Sequence, residues 1–252
     1  GAEANEAAIK LAKKYGKMKN ENKIELISMK QSFHGRTCGA LTATGQMKYQ
    51  KNFLPLMPGT QYAEYNNIES LKEIINKNTC GVLLEAIQGE SGIIPAQAEY
   101  LKQVQELCHK YDALFMIDEV QTGIGRTGKL FAYENFGIHP DVVSMAKGLG
   151  GGVPIGAMMC KEEVAVFVPG DHASTFGGNP LVTSGVCVVI DELVNNGLLQ
   201  HVQEVGAYLT ESLNKLKEQV DCITDVRGIG LMQGVAITKV PKEVISKCIE
   251  KG

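Results

Sequence analysis

Four ionisable residues lie at or near the ends of apolar runs. Glu85 falls late in "CGVLLEAI" (80–87), Asp118 and Glu119 end "ALFMIDE" (113–119), and Lys147 ends "DVVSMAK" (141–147). A charge at the end of a buried strand is costly unless it is paired. The carboxyl edge of an open α/β sheet is also where such folds bind ligands. One shared site therefore accounts for all four. Lys147 precedes four glycines within five residues, in "AKGLGGGVPIG" (146–156). A lysine in a partly desolvated pocket has a lowered pKa and becomes an amine nucleophile able to form a Schiff base. An acid at the end of a neighbouring strand favours that reading over a surface lysine.

The same stretch offers a competing chemistry. Asp118 is followed by "GIGRTG" (123–128), a literal G-x-G-x-x-G. A dinucleotide loop needs its first glycine directly after the strand, so that the backbone approaches a pyrophosphate at a helix start. Here Asp118 to Thr122 intervene, and two carboxylates would repel the phosphates. A loop of tight turns fits the glycines better. The second cluster is no phosphate P-loop, because no Gly-Lys-Ser/Thr follows the required spacing. A pyridoxal phosphate site, by contrast, finds a candidate for each part. Lys147 would form the imine and Asp118 would hold the ring nitrogen protonated. The helix start at Gly1 and Ala2 would bind the phosphate, and Phe33 would stack on the ring. Arg36 would bind a substrate carboxylate as a fork.

The elements that must position these residues follow from pattern. Strands are predicted over 23–29, 80–87, 113–119, 141–147 and 155–160, with helices over 67–77 and 96–112 between them. This alternation predicts an α/β fold with a mainly parallel sheet covered on both faces. The chain opens on a helical pattern, with Ala4, Ala8, Leu11 and Tyr15 on one face. Residues 180–219 read as two helices parted by Gly197, and 222–237 as two short strands joined by a glycine turn. The chain ends in another helical pattern, "KEVISKCIEKG". These terminal patterns predict a segment of a longer protein. Its predicted division is a large domain over 1–195, lacking its N-terminal part, then a connecting helix and partial C-terminal domain over 196–252.

Composition narrows the function classes. A net charge of -3 gives no electrostatic case for nucleic acid or anionic membranes. No apolar run reaches the length of a membrane span. The seven cysteines are scattered and never spaced as CxxC, which predicts reduced thiols in a cytoplasmic protein. The five histidines show no metal-ligand spacing, so no metal is expected.

"FMIDEVQTGIGRTGKLFAYENFGIHPDVVSMAKGLGGGVPIGA" closely resembles the active-site stretch of class III (ornithine-type) aminotransferases. "GAEANEAAIKLAKKYG", "SFHGRTCGALTATGQMKYQ", "LLEAIQGESGIIPA" and "HASTFGGNPL" match the same family in order, so the resemblance covers essentially the whole chain. It implies a type I fold of pyridoxal-phosphate-dependent transferases. It also implies that Lys147 carries the cofactor and shuttles a proton, and that Asp118 pairs with the ring nitrogen. Gln121 would reach the phenolic oxygen, while Val120 and Phe33 cover the two ring faces. Gly1 and Ala2 would bind the phosphate. Thr175, with Ser174 beside it, would reach the phosphate of a neighbouring subunit's cofactor, which implies a homodimer. Arg36 would bind the substrate α-carboxylate, and Glu85 and Glu90 would belong to the substrate and cofactor surround. The wording "GRTCGALTATGQ", "KGLGGGVPIGA" and "GDHASTFGGNPL" is most similar to the acetylornithine type. It implies transfer of the δ-amino group of N2-acetyl-L-ornithine to 2-oxoglutarate in arginine biosynthesis. Sister activities on ornithine, succinylornithine, succinyl-diaminopimelate or 4-aminobutyrate are the alternatives. A nicotinamide-dependent dehydrogenase and a non-enzymatic module stand further off. The resemblance also departs at both ends. Relatives carry roughly a hundred residues before Gly1, on the scale of a usual domain, including the serine before it and a segment lining the substrate pocket. The arginine that recognises glutamate would lie beyond Gly252. His34 reads as structural, and Glu119 as a salt-bridge or hydrogen-bond partner.

Overall fold

The alanine-rich start of the chain forms helix α1 (Ala2–Lys19), whose buried face carries Ala4, Ala8, Leu11 and Ala12. Small side chains let it lie close against a sheet. The computed structural model describes residues 1–252. Strand β1 (Glu25–Met29) leads to the short helices α2 (Cys38–Ala43) and α3 (Met47–Gln50), then to β2 (Thr60–Ala63) and α4 (Ile68–Ile74). Next come β3 (Thr79–Leu84), a small ladder of β4 (Ile87–Gln88) with β5 (Ile94–Pro95), α5 (Ala98–Lys110), β6 (Leu114–Asp118), β7 (Val142–Met145) and β8 (Ala157–Cys160). The main sheet has six strands in the order β2-β1-β3-β6-β7-β8. Every pairing in it is parallel except β7 with β8.

Period-2 alternation explains why both faces are dry. Leu26, Leu83, Leu114 and Met116 face α1, in one core with Ala8 and Leu11. Ile27, Val82, Leu84, Phe115 and Ile117 face the other way, with Leu71 of α4 and Leu101 and Val104 of α5. Burying each such side chain contributes about 1.5–3 kcal/mol.

Asn179 caps α6 (Pro180–Val194), accepting from Val182 N at 3.1 Å, with proline at the first turn. α7 (Leu198–Gln219) follows Gly197, whose φ of 75° is left-handed. Strands β9 (Ile223–Ile229) and β10 (Met232–Ile237) pair antiparallel, and α8 (Pro241–Lys251) closes the chain. No single helix is long and apolar enough to cross a membrane.

Several expected bounds shift. The strand expected over 80–87 stops at Leu84, because the chain turns where Glu85 takes backbone N–H groups from two loops. The helix expected over 67–77 shortens to 68–74, started by Asn67 accepting from Ser70 N. The strand expected to reach Lys147 ends at Met145. β2, α2 and α3 were not expected; they are short and mixed in polarity, so no period marks them.

Candidate active site

Three strand ends bring the chemistry together. Asp118 is the last residue of β6 and is buried. Its Oδ2 accepts from Asn5 Nδ2 and from His34 Nδ1, each at 2.7 Å. Its Oδ1 accepts from Val120 N at 2.9 Å. Asn5 is itself fixed, because its Nδ2 also donates to the His34 carbonyl and its Oδ1 accepts from Ser144 Oγ. Donors arriving from α1, the 30–36 loop and the strand end thus satisfy both carboxylate oxygens of this buried residue. Burial alone would lower the His34 pKa, but the adjoining Asp118, with Glu85 further off, raises it above the ordinary value.

Glu85 lies one residue beyond β3 and is also buried. Its carboxylate accepts from Phe33 N at 3.1 Å and Gly89 N at 3.2 Å. Burial pushes its pKa up to about 7. The 85–90 turn carries Gly89 under the Gln121 side chain, where an added Cβ would stand 1.7 Å from Gln121 Oε1. Gly89 is thus the residue that lets Gln121 lie there.

Lys147 lies two residues past β7, at φ 47° in a 3-10 turn over 147–150. A left-handed non-glycine residue costs about 1–3 kcal/mol, and such strain gathers where a side chain must be aimed. Lys147 is exposed, where the sequence predicts a lysine partly withdrawn from solvent.

A cavity of about 310 Å³ joins these groups, lined by Gly1, Ala2, Phe33, His34, Gly35, Arg36, Glu85, Glu90, Asp118, Val120, Gln121 and Lys147. That is the size of a small-ligand site, about 300–1,000 Å³. Gly1 caps α1 with no side-chain hydrogen bond, so the first backbone N–H groups of that helix have no side-chain partner. A Cβ on Gly1 would stand 2.7 Å from Val120 Cγ1, so glycine keeps that wall open. Arg36 is exposed and lies 5.4 Å from the ring centroids of both Phe33 and Tyr49.

All the expected site residues except Ser174 and Thr175 line this cavity. Those two are exposed elsewhere, Ser174 on a separate cleft with His172, Phe176 and Asn179. Glu119 makes no ion pair but accepts from Thr122 Oγ1, Ala132 N and Tyr133 N. It thereby pins the loop that holds GIGRTG. Of these glycines, Gly125 packs against Leu193 of α6 and Leu199 of α7 and Gly128 against Gln203 of α7, while Thr127 between them meets the β9–β10 turn: a Cβ on Gly230 would stand 2.6 Å from the Thr127 carbonyl carbon. They serve close packing away from the cavity. Residue reading alone passed over Asn5, Ser144 and Tyr49 and took His34 as structural. Ser144 carries a usable signal, as a single polar residue within the apolar run of β7; Asn5, between Ala4 and Glu6, carries none.

A family model described as aminotransferase class-III matches residues 1–252. The chain is 52% identical to an acetylornithine aminotransferase of Caldanaerobacter subterraneus subsp. tengcongensis and 50% identical to one of Aquifex aeolicus. Both alignments cover all of this chain and 65% of the relative. It superposes on the ornithine aminotransferase of Toxoplasma gondii ME49 with a TM-score of 0.95 at 34% identity, over 100% of this chain and 62% of the other. A second structure of that Toxoplasma gondii enzyme is described as having partial occupancy of PLP at the active site. The chain thus spans less than two thirds of the length of these relatives.

Proposed function

The chain belongs to the class-III aminotransferase family, and on that premise we propose that it forms the cofactor-binding part of an acetylornithine-type aminotransferase. Members of this family depend on pyridoxal 5′-phosphate. The observation that carries the reading is the convergence of Lys147, Asp118, Gln121, Phe33, Arg36 and the start of α1 on one cavity. These residue types fit the cofactor: an amine for its carbonyl, an acceptor for its ring N–H, an aromatic face and free backbone donors for a phosphate.

When bound, the cofactor supplies a ring that withdraws electrons from the substrate carbon bearing the amino group. Asp118, held by its three donors, keeps the proton on the ring nitrogen. Lys147 Nζ would hold the cofactor, and the same amine would carry a proton to and from that substrate carbon. Gln121 would donate to the phenolic oxygen, and Val120 and Phe33 would enclose the ring and exclude water. Gly1 and Ala2 donate backbone N–H groups to the phosphate. Arg36 orients the substrate by its α-carboxylate, with Glu85 and Glu90 on the substrate side.

The donor is N2-acetyl-L-ornithine, a reading supported by the names of the relatives at 52% and 50% identity, and the acceptor is 2-oxoglutarate. The working unit is a homodimer, in which Ser174 and Thr175 serve the partner's phosphate site. Exposed Phe176 and Leu181 beside them support this.

Borohydride reduction of the protein with added pyridoxal phosphate, followed by peptide mapping, tests the site. The label is expected on Lys147 and is lost in Lys147→Ala. A label spread over surface lysines would refute the assignment. A panel of amino donors then separates acetylornithine from the sister substrates by which one bleaches the bound cofactor.

A further inference from the structure

Arg36 is an exposed guanidinium that enters none of the nine ion pairs of the chain. A free arginine samples many rotamers and must lose that freedom when it binds an anion. Here two rings hold it. Phe33 and Tyr49 meet edge to face, with centroids 5.4 Å apart and planes at 70°, and Arg36 sits in the corner between them. Attraction of the cation to the rings uses no conventional hydrogen-bond acceptor, so the guanidinium N–H groups stay available to a carboxylate.

Tyr49 is itself well placed. Its N–H donates to the Gln46 carbonyl at 3.0 Å. The next residue, Gln50, is buried and anchors α3, its Nε2 donating to Thr44 O at 2.7 Å and to Tyr62 Oη at 3.0 Å. The ring of Tyr49 also takes Lys48 Nζ at 4.8 Å, a second cation on an exposed stem.

We propose that Tyr49 is a positioning residue for the substrate: its ring, with that of Phe33, holds Arg36 in the corner between them and presents the guanidinium fork to the substrate α-carboxylate. This rests on Arg36 being the carboxylate ligand. Tyr49 acts through its ring, so Tyr49→Phe behaves as the unaltered protein.

The test is binding of N-acetyl-L-norvaline and of its carboxamide to the pyridoxal-phosphate-loaded protein, by calorimetry. The first carries the carboxylate and the second does not. Tyr49→Leu is expected to weaken the acid roughly 2–5-fold, the range of an exposed cation–π contact, and to leave the amide and the cofactor's retention unchanged. Turnover should show a raised KM with kcat kept. Where Tyr49→Leu does not fold, graded ring fluorination of Tyr49→Phe weakens the ring face at nearly constant shape, and acid affinity should fall with each fluorine. If Arg36→Met abolishes the preference for the acid and the Tyr49 variants keep it, the role of Tyr49 is overturned alone. If Arg36→Met leaves the preference intact, or the unaltered protein has none, the reading of Arg36 falls and the proposal with it.

Discussion

Three buried groups near the cavity hold protons more tightly in the folded chain than an unfolded chain would. Burial pushes Glu85 and Glu119 up to about 7 from an ordinary 4.5. His34 is raised above 6.5, burial being outweighed by Asp118. The sign is the same for all three. Between about pH 4.5 and 7 the folded chain keeps protons on the two glutamates that the unfolded chain has released, so stability falls as pH rises. The His34 contribution is full below 6.5 and is lost as pH rises through its raised value. Each group adds at most about 1.4 kcal/mol per pH unit. The urea midpoint of the cofactor-free protein is therefore expected to be lower at pH 8 than at pH 6, and Glu119→Gln should flatten part of the slope. A midpoint that rises over this range would contradict the assignment. Glu119 was legible as a hydrogen-bond partner, because a second acid directly after a strand-ending acid must be satisfied by something. His34 was not, since nothing local in "SFHGR" tells a ligand of Asp118 from a packed ring.

At the scale of elements, close approach decides what propensity cannot. Gly16 lies near the end of α1, where Gly→Ala would ordinarily stabilise a helix by about 1 kcal/mol. Here the added Cβ would stand 2.0 Å from the Lys23 carbonyl oxygen and 2.8 Å from Cys80 Cβ. Backbone cannot yield as a side-chain tip can, so Gly16→Ala is expected to destabilise by about 1–3 kcal/mol, read as a lower urea midpoint. An unchanged or higher midpoint would show that α1 can slide on β3. The long helices and the central strands were readable because burial on one or both faces imposes a period. α2 and α3, which carry the loop presenting Phe33 and Arg36, were not. They are held from outside: Glu6 of α1 accepts from Thr37 Oγ1, Gly39 N and Ala40 N, capping α2 from another helix.

At the scale of the whole molecule, α6 is left largely uncovered. In α6 only Leu193 is buried, while Leu181 is 80% and Val188 62% exposed, and Phe176 just before it is 82% exposed. Contiguous apolar exposure of this kind marks an association surface. The protein is expected to sediment as a species heavier than its 27.2 kDa, and Leu181→Glu with Val188→Glu should shift it towards that mass. A species of 27.2 kDa before substitution would remove the support for Thr175 acting across an interface.

By itself the sequence determined the alternation of strands and helices, and that Glu85, Asp118, Glu119 and Lys147 lie at or just past strand ends. Both are local properties: side-chain period and the cost of a charge after an apolar run do not depend on distant residues. Tertiary structure decided which of those charges is buried and what meets it. Asn5 and Asp118 are 113 residues apart and His34 and Asp118 84 apart, yet they share one oxygen. The exposure of Lys147 and the corner that holds Arg36 were settled in the same way, by which loops the packed sheet edge brings together. A polar group's partners come from long-range packing, and no spacing along the chain encodes them.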